Sequence, residues 1–519
     1  MRIRIEKRFL LVPTSEEAEV KTLLLYRTDN LVYDTKIRID TITPTLTVAV
    51  NLSAFVGEEL ELSSLPYAEF PLEWSDKLPE APKHPYRPKA HFTAPYGWLN
   101  DPNGLVEYTD ADGNKTYHMF YQHNPHGTLW SNMTWGHATS PDMLHWTHHE
   151  PTLYPDELGA MYSGSAVVDK RNVSGLKSSE CDPILLFYTA AAGIRGEGGL
   201  LAEGKKYTQC MAYSTDGGKS FKKYEKNPII DHVLSRNRDP KVIWCEEISK
   251  YILAIYLEGP VFKLFKSDNL IDWEPLTEYF IDGDRECPDV FPFKPDGEVQ
   301  KWVFTAANGK YSIYEFKDGV PVEIQRPRPF NYSDCYYAAQ TFSDVADGRR
   351  IQIGWERYTR RVSEPFNGQM SIPNELNLVK DNSGYSLILA PISELSKYES
   401  VSAELTSPTL PLSLPIEPSA YDVRLTLCGG GNVNIALFGA TVSVDLDSRT
   451  LSAPAGKMPL PISDSTELRM IFDSDTVEIY TDGGKRFLAS RAHADYNIKV
   501  LSISGNACVE YLTVNKIEL

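Results

Sequence analysis

No run of apolar residues approaches the roughly 20 needed to cross a bilayer as a helix, so no membrane partner is expected. No two cysteines stand at C-x-x-C spacing. The seven (Cys181, Cys210, Cys245, Cys287, Cys335, Cys428, Cys508) are odd in number and scattered, which argues against a disulfide frame or a zinc site and reads as reduced thiols. Basic charge is in deficit, 52 lysines and arginines against 70 acids for a net −18, so a nucleic acid or another polyanion finds no attraction. A neutral sugar would be indifferent to that charge. The opening Met1-Arg2-Ile3-Arg4-Ile5-Glu6-Lys7-Arg8 alternates charged and apolar residues and has no signal-peptide core. As written, the chain is expected in the cytoplasm, or outside the cell if a leader has been removed. Helical periodicity is scarce throughout, which leaves β structure.

What is present fits that. Residues 1–83 hold short β-like runs: Phe9–Val12, Thr22–Tyr26, Thr35–Ile39 and Leu46–Val50, with a loop over Thr14–Lys21. They read as a small β-sandwich-like module, more a packing appendage than a sugar-binding unit. Pro79 to Pro88, with four prolines, reads as a linker. Over 84–392 a hairpin signature recurs: Ser140 and Asp142 before Trp146, Ser214 and Asp216 before Phe221, Ser267 and Asp268 before Trp273. An Asp that bonds its own turn, followed by an aromatic that plugs between sheets, roughly every 50–75 residues, is the trace of propeller blades. Residues 393–519 return to alternating strands, such as Val423–Leu427 and Val433–Leu437, joined by glycine turns. The fold expected is all-β: a five-bladed β-propeller followed by a C-terminal β-sandwich.

One stretch stands apart. Gly97-Trp98-Leu99-Asn100-Asp101-Pro102-Asn103-Gly104 packs a carboxylate, two amides, an indole, a proline and two glycines into eight residues. Asp-Pro and Asn-Gly are turn dipeptides, so Asp101 is expected where a strand ends and the chain bends. Alone, the segment reads equally as a hydrogen-bonded Asx-turn loop or as the rigid carrier of a nucleophile. Arg238-Asp239-Pro240-Lys241 and Arg285-Glu286-Cys287-Pro288-Asp289 repeat an acid beside a proline and an apolar run.

With these three segments the chain resembles glycoside hydrolase family 32, the five-bladed-propeller β-fructosidases that include invertases, inulinases and levanases. That family carries W-[ML]-N-D-P-N-G, R-D-P and E-C-P elements in this order. The resemblance implies Asp101 as nucleophile, Glu286 as the acid and then base, and Asp239 as stabiliser of the transition state, converging because inner strands of all blades meet at one axis. It also implies Asn100, Gln122, Trp130, Tyr162, Ser163, Arg238 and Trp355 as substrate contacts, with Trp135 and His137 as support. For each aromatic, packing between blades is the alternative. The two catalytic pKa values should be pushed apart: Asp101 ionised, Glu286 kept protonated by that neighbouring charge, and Asp239 kept charged by Arg238.

Three segments depart from the family pattern. They are Cys335-Tyr336-Tyr337-Ala338, Pro373-Asn374-Glu375-Leu376, and the basic loop Glu356 to Arg361. These put substrate length in question, not the reaction. Two decoys are set aside. His145, His148, His149 and Glu150 lie on a segment too strand-like to face one metal, and the Gly196-to-Gly199 run lacks the helix a phosphate cradle needs. No metal and no cofactor are expected. The activity implied is exo-acting, retaining release of terminal fructose from sucrose, fructooligosaccharides or fructan. The partner is that fructose-containing substrate, and a homo-oligomer is possible. A fructosyltransferase, or an inactive fructan-binding protein, is the alternative.

Overall fold

The computed structural model describes residues 1–192, 198–295, 297–357, 361 and 364–519. Among them the helices are four short 3-10 segments, the longest Ser393–Tyr398, and all other regular structure is strand. None is long and apolar enough to cross a membrane.

The first strands form two sheets, one of four strands (Arg2–Arg4, Glu59–Leu65, Lys21–Arg27, Asn30–Ile37) and one of three (Leu46–Asn51, Phe9–Thr14, Glu73–Ser75). Their alternation places Leu10, Val12, Leu23, Leu25, Val48, Val50 and Leu60 in one dry core. After the prolines, the amides of Lys89, Ala90 and His91 all donate to the carboxylate of Asp473, tying the chain to the distant C-terminal sheets.

Residues 97–391 then build five consecutive sheets, each with four antiparallel strands in chain order. Their inner strands are Gly97–Thr109, Ala160–Val168, Arg238–Cys245, Asp289–Phe293 and Tyr336–Thr341. Each inner strand meets the next, and the fifth meets the first, so the sheets close a ring. Phe366–Asn367 latches the closure by pairing in parallel with Gly97–Trp98. Strands near the axis are buried on both faces, as Ile184–Ala191 is throughout, whereas the outer Thr147–Leu153 is largely exposed. That is the burial expected of sheets stacked face to face around an axis.

The recurring hairpin is built as the pattern predicts, with one change. Asp142 Oδ1 accepts from the amides of Leu144 and His145, and Asp216 Oδ1 from Lys219 and Ser220. In the third sheet Asn269, not Asp268, accepts from Ile271 and Asp272. Phe221 then packs edge-on against Phe120 of the preceding sheet, and Trp273 against Phe187.

The C-terminal strands form two six-stranded sheets around Val423, Leu425, Ile435, Val442, Met470 and Ile479. They abut the fifth sheet of the ring, with Phe487 edge-on to Tyr336 at 4.9 Å between ring centroids.

Candidate active site

Four of the five inner strands lose register beside the axis: between Leu99 and Pro102 (with a second break between Asn103 and Val106), Tyr162 and Gly164, Arg238 and Lys241, and Tyr337 and Gln340. An extra residue at such a point bends the strand and re-aims its side chain. Those breaks contain Asn100 and Asp101, Ser163, Asp239, and Ala338. Asp101 therefore does not mark a strand end as the turn dipeptides predicted: the strand runs on to Thr109, absorbing Asp-Pro as an irregularity. In the fourth sheet Glu286 and Cys287 stand just before the strand with left-handed φ of 58° and 42°; Asp239 and Ala338 have φ of 65° and 52°. Such conformations cost about 1–3 kcal/mol each for non-glycine residues and persist only where the surroundings enforce them. Here the enforcing bonds are buried: Asp239 N to Thr189 Oγ1 at 3.0 Å, Cys287 N to Asp239 Oδ2 at 3.0 Å, and Ala338 N to Ala307 O at 2.9 Å.

Asp101, Ser163, Asp239, Glu286 and Cys287 line one cavity of about 270 Å³. All ten residues named from sequence are on its wall: Asp101, Asp239, Glu286, Asn100, Gln122, Trp130, Tyr162, Ser163, Arg238 and Trp355. Three more, Arg236, Cys287 and Tyr337, complete it. Ser163 Oγ donates to Asp101 Oδ2 at 2.6 Å, and Asn100 Nδ2 to Asp101 Oδ1 at 3.1 Å. Asn100 is itself held by Trp98 Nε1 at 2.6 Å. The Cys287 thiol lies 3.5 Å from Asp101 Oδ2 and 3.6 Å from Asp239 Oδ2, so one S–H reaches both carboxylates. Gln122 is fixed by its amide nitrogen on Met161 O at 2.8 Å. Trp355 meets Trp98 edge-on at 5.7 Å and Tyr337 at 6.3 Å, and the Arg357 guanidinium covers the Tyr337 ring at 4.2 Å. Trp130 is 48% exposed and meets Tyr162 at 6.1 Å.

The electrostatics differ from the sequence expectation. Arg238 donates to Glu286 Oε1 at 2.7 Å and stands 3.6 Å from Asp239; Tyr337 OH donates to Glu286 Oε2. Burial pushes Glu286 up, but the charge of Arg238 and these two hydrogen bonds outweigh it and hold the carboxyl below its usual range. Burial raises Asp101 against the Ser163 and Asn100 bonds, and raises Asp239 to about 7 despite Arg238. The shifts thus run opposite to the sequence expectation: Asp239, not Glu286, is pushed toward its protonated form. Burial, with Asp101 and Asp239 adding to it, raises Cys287 well above the usual thiol value, so it remains an S–H donor.

Other sequence candidates sit elsewhere. Trp135 is fully buried between the first two sheets with its Nε1 on Tyr162 O at 3.0 Å, and His137 stacks on Phe120. His145 bonds Asp142, His149 bonds Thr139, and Glu150 pairs with Arg8. These diverge. Gly196 and Glu197 lie outside the described residues, as do Tyr358, Thr359 and Arg360; Gly199, with φ of 75°, leads into the amides of Leu200 and Leu201, which grip the Asp34 carboxylate at 2.9 and 3.0 Å. Among the described residues, the ligand atoms close enough to hold a metal belong to His91, Glu356 and Glu478, outside this cavity and fully buried. Protein groups already engage them: His91 and the amide of Ile372 on Glu478, and Gln369 on Glu356.

The sequence model of the glycosyl hydrolases family 32 N-terminal domain matches residues 91–391. A levanase of Bacillus subtilis (strain 168) is 30% identical over 495 residues, spanning 83% of this chain and 70% of that one. An extracellular exo-inulinase of Aspergillus niger is 30% identical over 408 residues, spanning 70% and 72%. The crystal structure of an exo-inulinase from Aspergillus awamori superposes with a TM-score of 0.74 at 24% identity, over 84% of this chain and 98% of that one, which makes the fold a β-propeller joined to a β-sandwich. A match across the whole ring of sheets and relatives aligned over most of the chain lead to one assignment: this chain belongs to the glycosyl hydrolases of family 32.

Proposed function

We propose that the chain is a retaining, exo-acting β-fructosidase, releasing terminal β-D-fructofuranosyl residues from sucrose, fructooligosaccharides and fructans. Its relatives are named levanase, exo-inulinase and invertase. The observation that carries the reading is the convergence of Asp101, Asp239 and Glu286 on one small cavity, with only Glu286 against both a guanidinium and a phenol.

Asp101, braced by Ser163 and Asn100, attacks the anomeric carbon and forms a fructosyl ester. Glu286 gives its proton to the departing oxygen, then takes one from the water that cleaves the ester. For the first step Glu286 must be protonated. A substrate seated against it expels water, and that desolvation raises its pKa. Asp239 receives sugar hydroxyls, which bind more tightly as positive charge builds on the ring. Cys287 donates to whichever of Asp101 and Asp239 is ionised, damping their mutual repulsion.

We further propose units at residues 1–83, 84–392 and 393–519, supported by the separate cores of the first and last. The seven free thiols support a reducing compartment, while the Aspergillus relative is extracellular. The test is chromatography of products from sucrose, inulin and levan. Free fructose as the sole early product of both polymers is expected; oligosaccharides released alongside it, or chains that lengthen, would overturn exo-hydrolysis.

A further inference from the structure

The cavity at the axis shares Trp130 with a second, larger space, and the residues on the far wall of that space belong to the N-terminal module. We propose that this cleft binds the part of a fructan chain that extends beyond the residue being cleaved. The proposal rests on reading the axial cavity as a fructosyl site.

The module is not loosely attached. Its strand Asn30–Ile37 grips the loop that carries Trp130: Asn132 accepts from Lys36 N at 3.0 Å and donates to Lys36 O at 2.7 Å, while Thr35 Oγ1 meets His126 Nδ1 at 2.9 Å. One residue further back, Asp34 holds the amides of Leu200 and Leu201. Both ends of the Trp130 loop are therefore set by a unit that lies outside the matched family segment.

Between module and loop lies a cleft of about 530 Å³. Glu17, Val20, Lys36 and Arg38 face it from the module, Leu129 and Trp130 from the propeller. Trp130 also lines the axial cavity, so its indole is a wall common to both spaces. Val20, Leu129 and Trp130 remain 40%, 44% and 48% exposed, an unusual gathering of bare apolar side chains at one place. Carboxylate, ammonium and guanidinium groups border them. Apolar faces edged by charged donors and acceptors suit a furanosyl chain, whose rings offer C–H faces and hydroxyl rims. Topology supplies the last step: a cavity that takes in a chain end leaves the rest of that chain on the rim, and Trp130 is the part of that wall shared with this cleft. The deficit of basic residues disfavours a nucleic acid there.

Val20→Asp and Glu17→Lys alter the cleft at exposed positions, away from the axial cavity, and are expected to leave the melting temperature unchanged. kcat/KM is measured on sucrose and on inulin- and levan-type oligosaccharides of increasing length, with binding of the same oligosaccharides followed by calorimetry. Sucrose should be affected by less than about two-fold, and the longer chains should lose about 10-fold, through KM. Equal losses on sucrose and long chains, or no loss on any, would overturn the cleft while leaving the hydrolase reading intact. A wild-type chain that turns over none of these substrates yet binds the oligosaccharides, with binding lost in Val20→Asp, would sink the hydrolase reading and uphold the cleft.

Discussion

Glu286 sits between the Arg238 guanidinium and the Tyr337 phenol, and both contacts favour its charged form. Removing the phenol should therefore raise its pKa. If Glu286 is the proton donor, kcat/KM falls as pH rises through that pKa, so Tyr337→Phe should move the alkaline limb of the pH–rate profile upward; a limb that stays in place would count against the donor role. Glu286→Gln should lower kcat by about 10²–10⁴-fold on sucrose, with a smaller loss on a fructoside whose leaving group needs no proton. The ten wall residues were legible because their motifs keep both residue type and spacing. The direction of the proton was not. Arg238 adjoins Asp239 in sequence and stands 3.6 Å from it, but its guanidinium also reaches Glu286 of the neighbouring sheet, and the burial of Asp239, which no motif reports, outweighs that charge. Cys287 and Tyr337 stood inside quoted segments, yet nothing local encodes the left-handed backbone that turns the Glu286–Cys287 pair into the cavity.

At the scale of elements, the strand breaks at Asp101, Ser163 and Asp239 are the device that turns a ring of sheets into a site. Gly164 shows how little slack they have. A Cβ there would come within 1.8 Å of Phe187 O, a backbone atom of the paired strand. Gly164→Ala should therefore destabilise the protein by about 1–3 kcal/mol, read as a drop in melting temperature, and lower kcat by displacing Ser163 from Asp101. A variant with unchanged melting and activity would mean the break is not constrained. Strand positions and the Asp-turn hairpins could be read from alternation and turn chemistry, down to the aromatics that fill the gaps between sheets. The breaks could not, because Asp-Pro reads as a chain bend until the neighbouring strand is seen to continue past it.

At the scale of the whole molecule, the C-terminal sandwich keeps an inner core of its own but also packs into that of the ring, with Tyr336 and Leu376 in the same cluster as Tyr480 and Phe487, so the boundary proposed near residue 392 marks no gap in packing. A buried polar group crosses that junction. Burial and the charge of Glu478 push Glu356 up to about 8; burial acts to lower His91, but its bonds to Asp473 and Glu478 outweigh that and hold it well above its usual value. Both pKa values are raised on folding, so both contributions are present at low pH and lost as pH rises: Glu356 across about 4.5 to 8, His91 from about 6.5 upward. Glu356→Gln, a mimic of the protonated acid, should gain melting temperature relative to wild type as pH goes from 5 to 9, roughly the span over which Glu356 loses its contribution, His91 being common to both proteins; a constant difference would refute this. How the N-terminal strands, the ring of sheets and the C-terminal sheets dock was beyond the sequence, since Asn132, Asp34 and Asp473 look like ordinary surface polar residues until their partners are placed. The central claim is that a fructosyl group passes through Asp101. Intact-protein mass spectrometry of Glu286→Gln mixed with an activated fructoside, followed by peptide mapping, tests it most directly. A protein heavier by one fructosyl unit, with the unit on Asp101, is the predicted result; an adduct on another carboxylate, or turnover that persists in Asp101→Asn, would contradict the account.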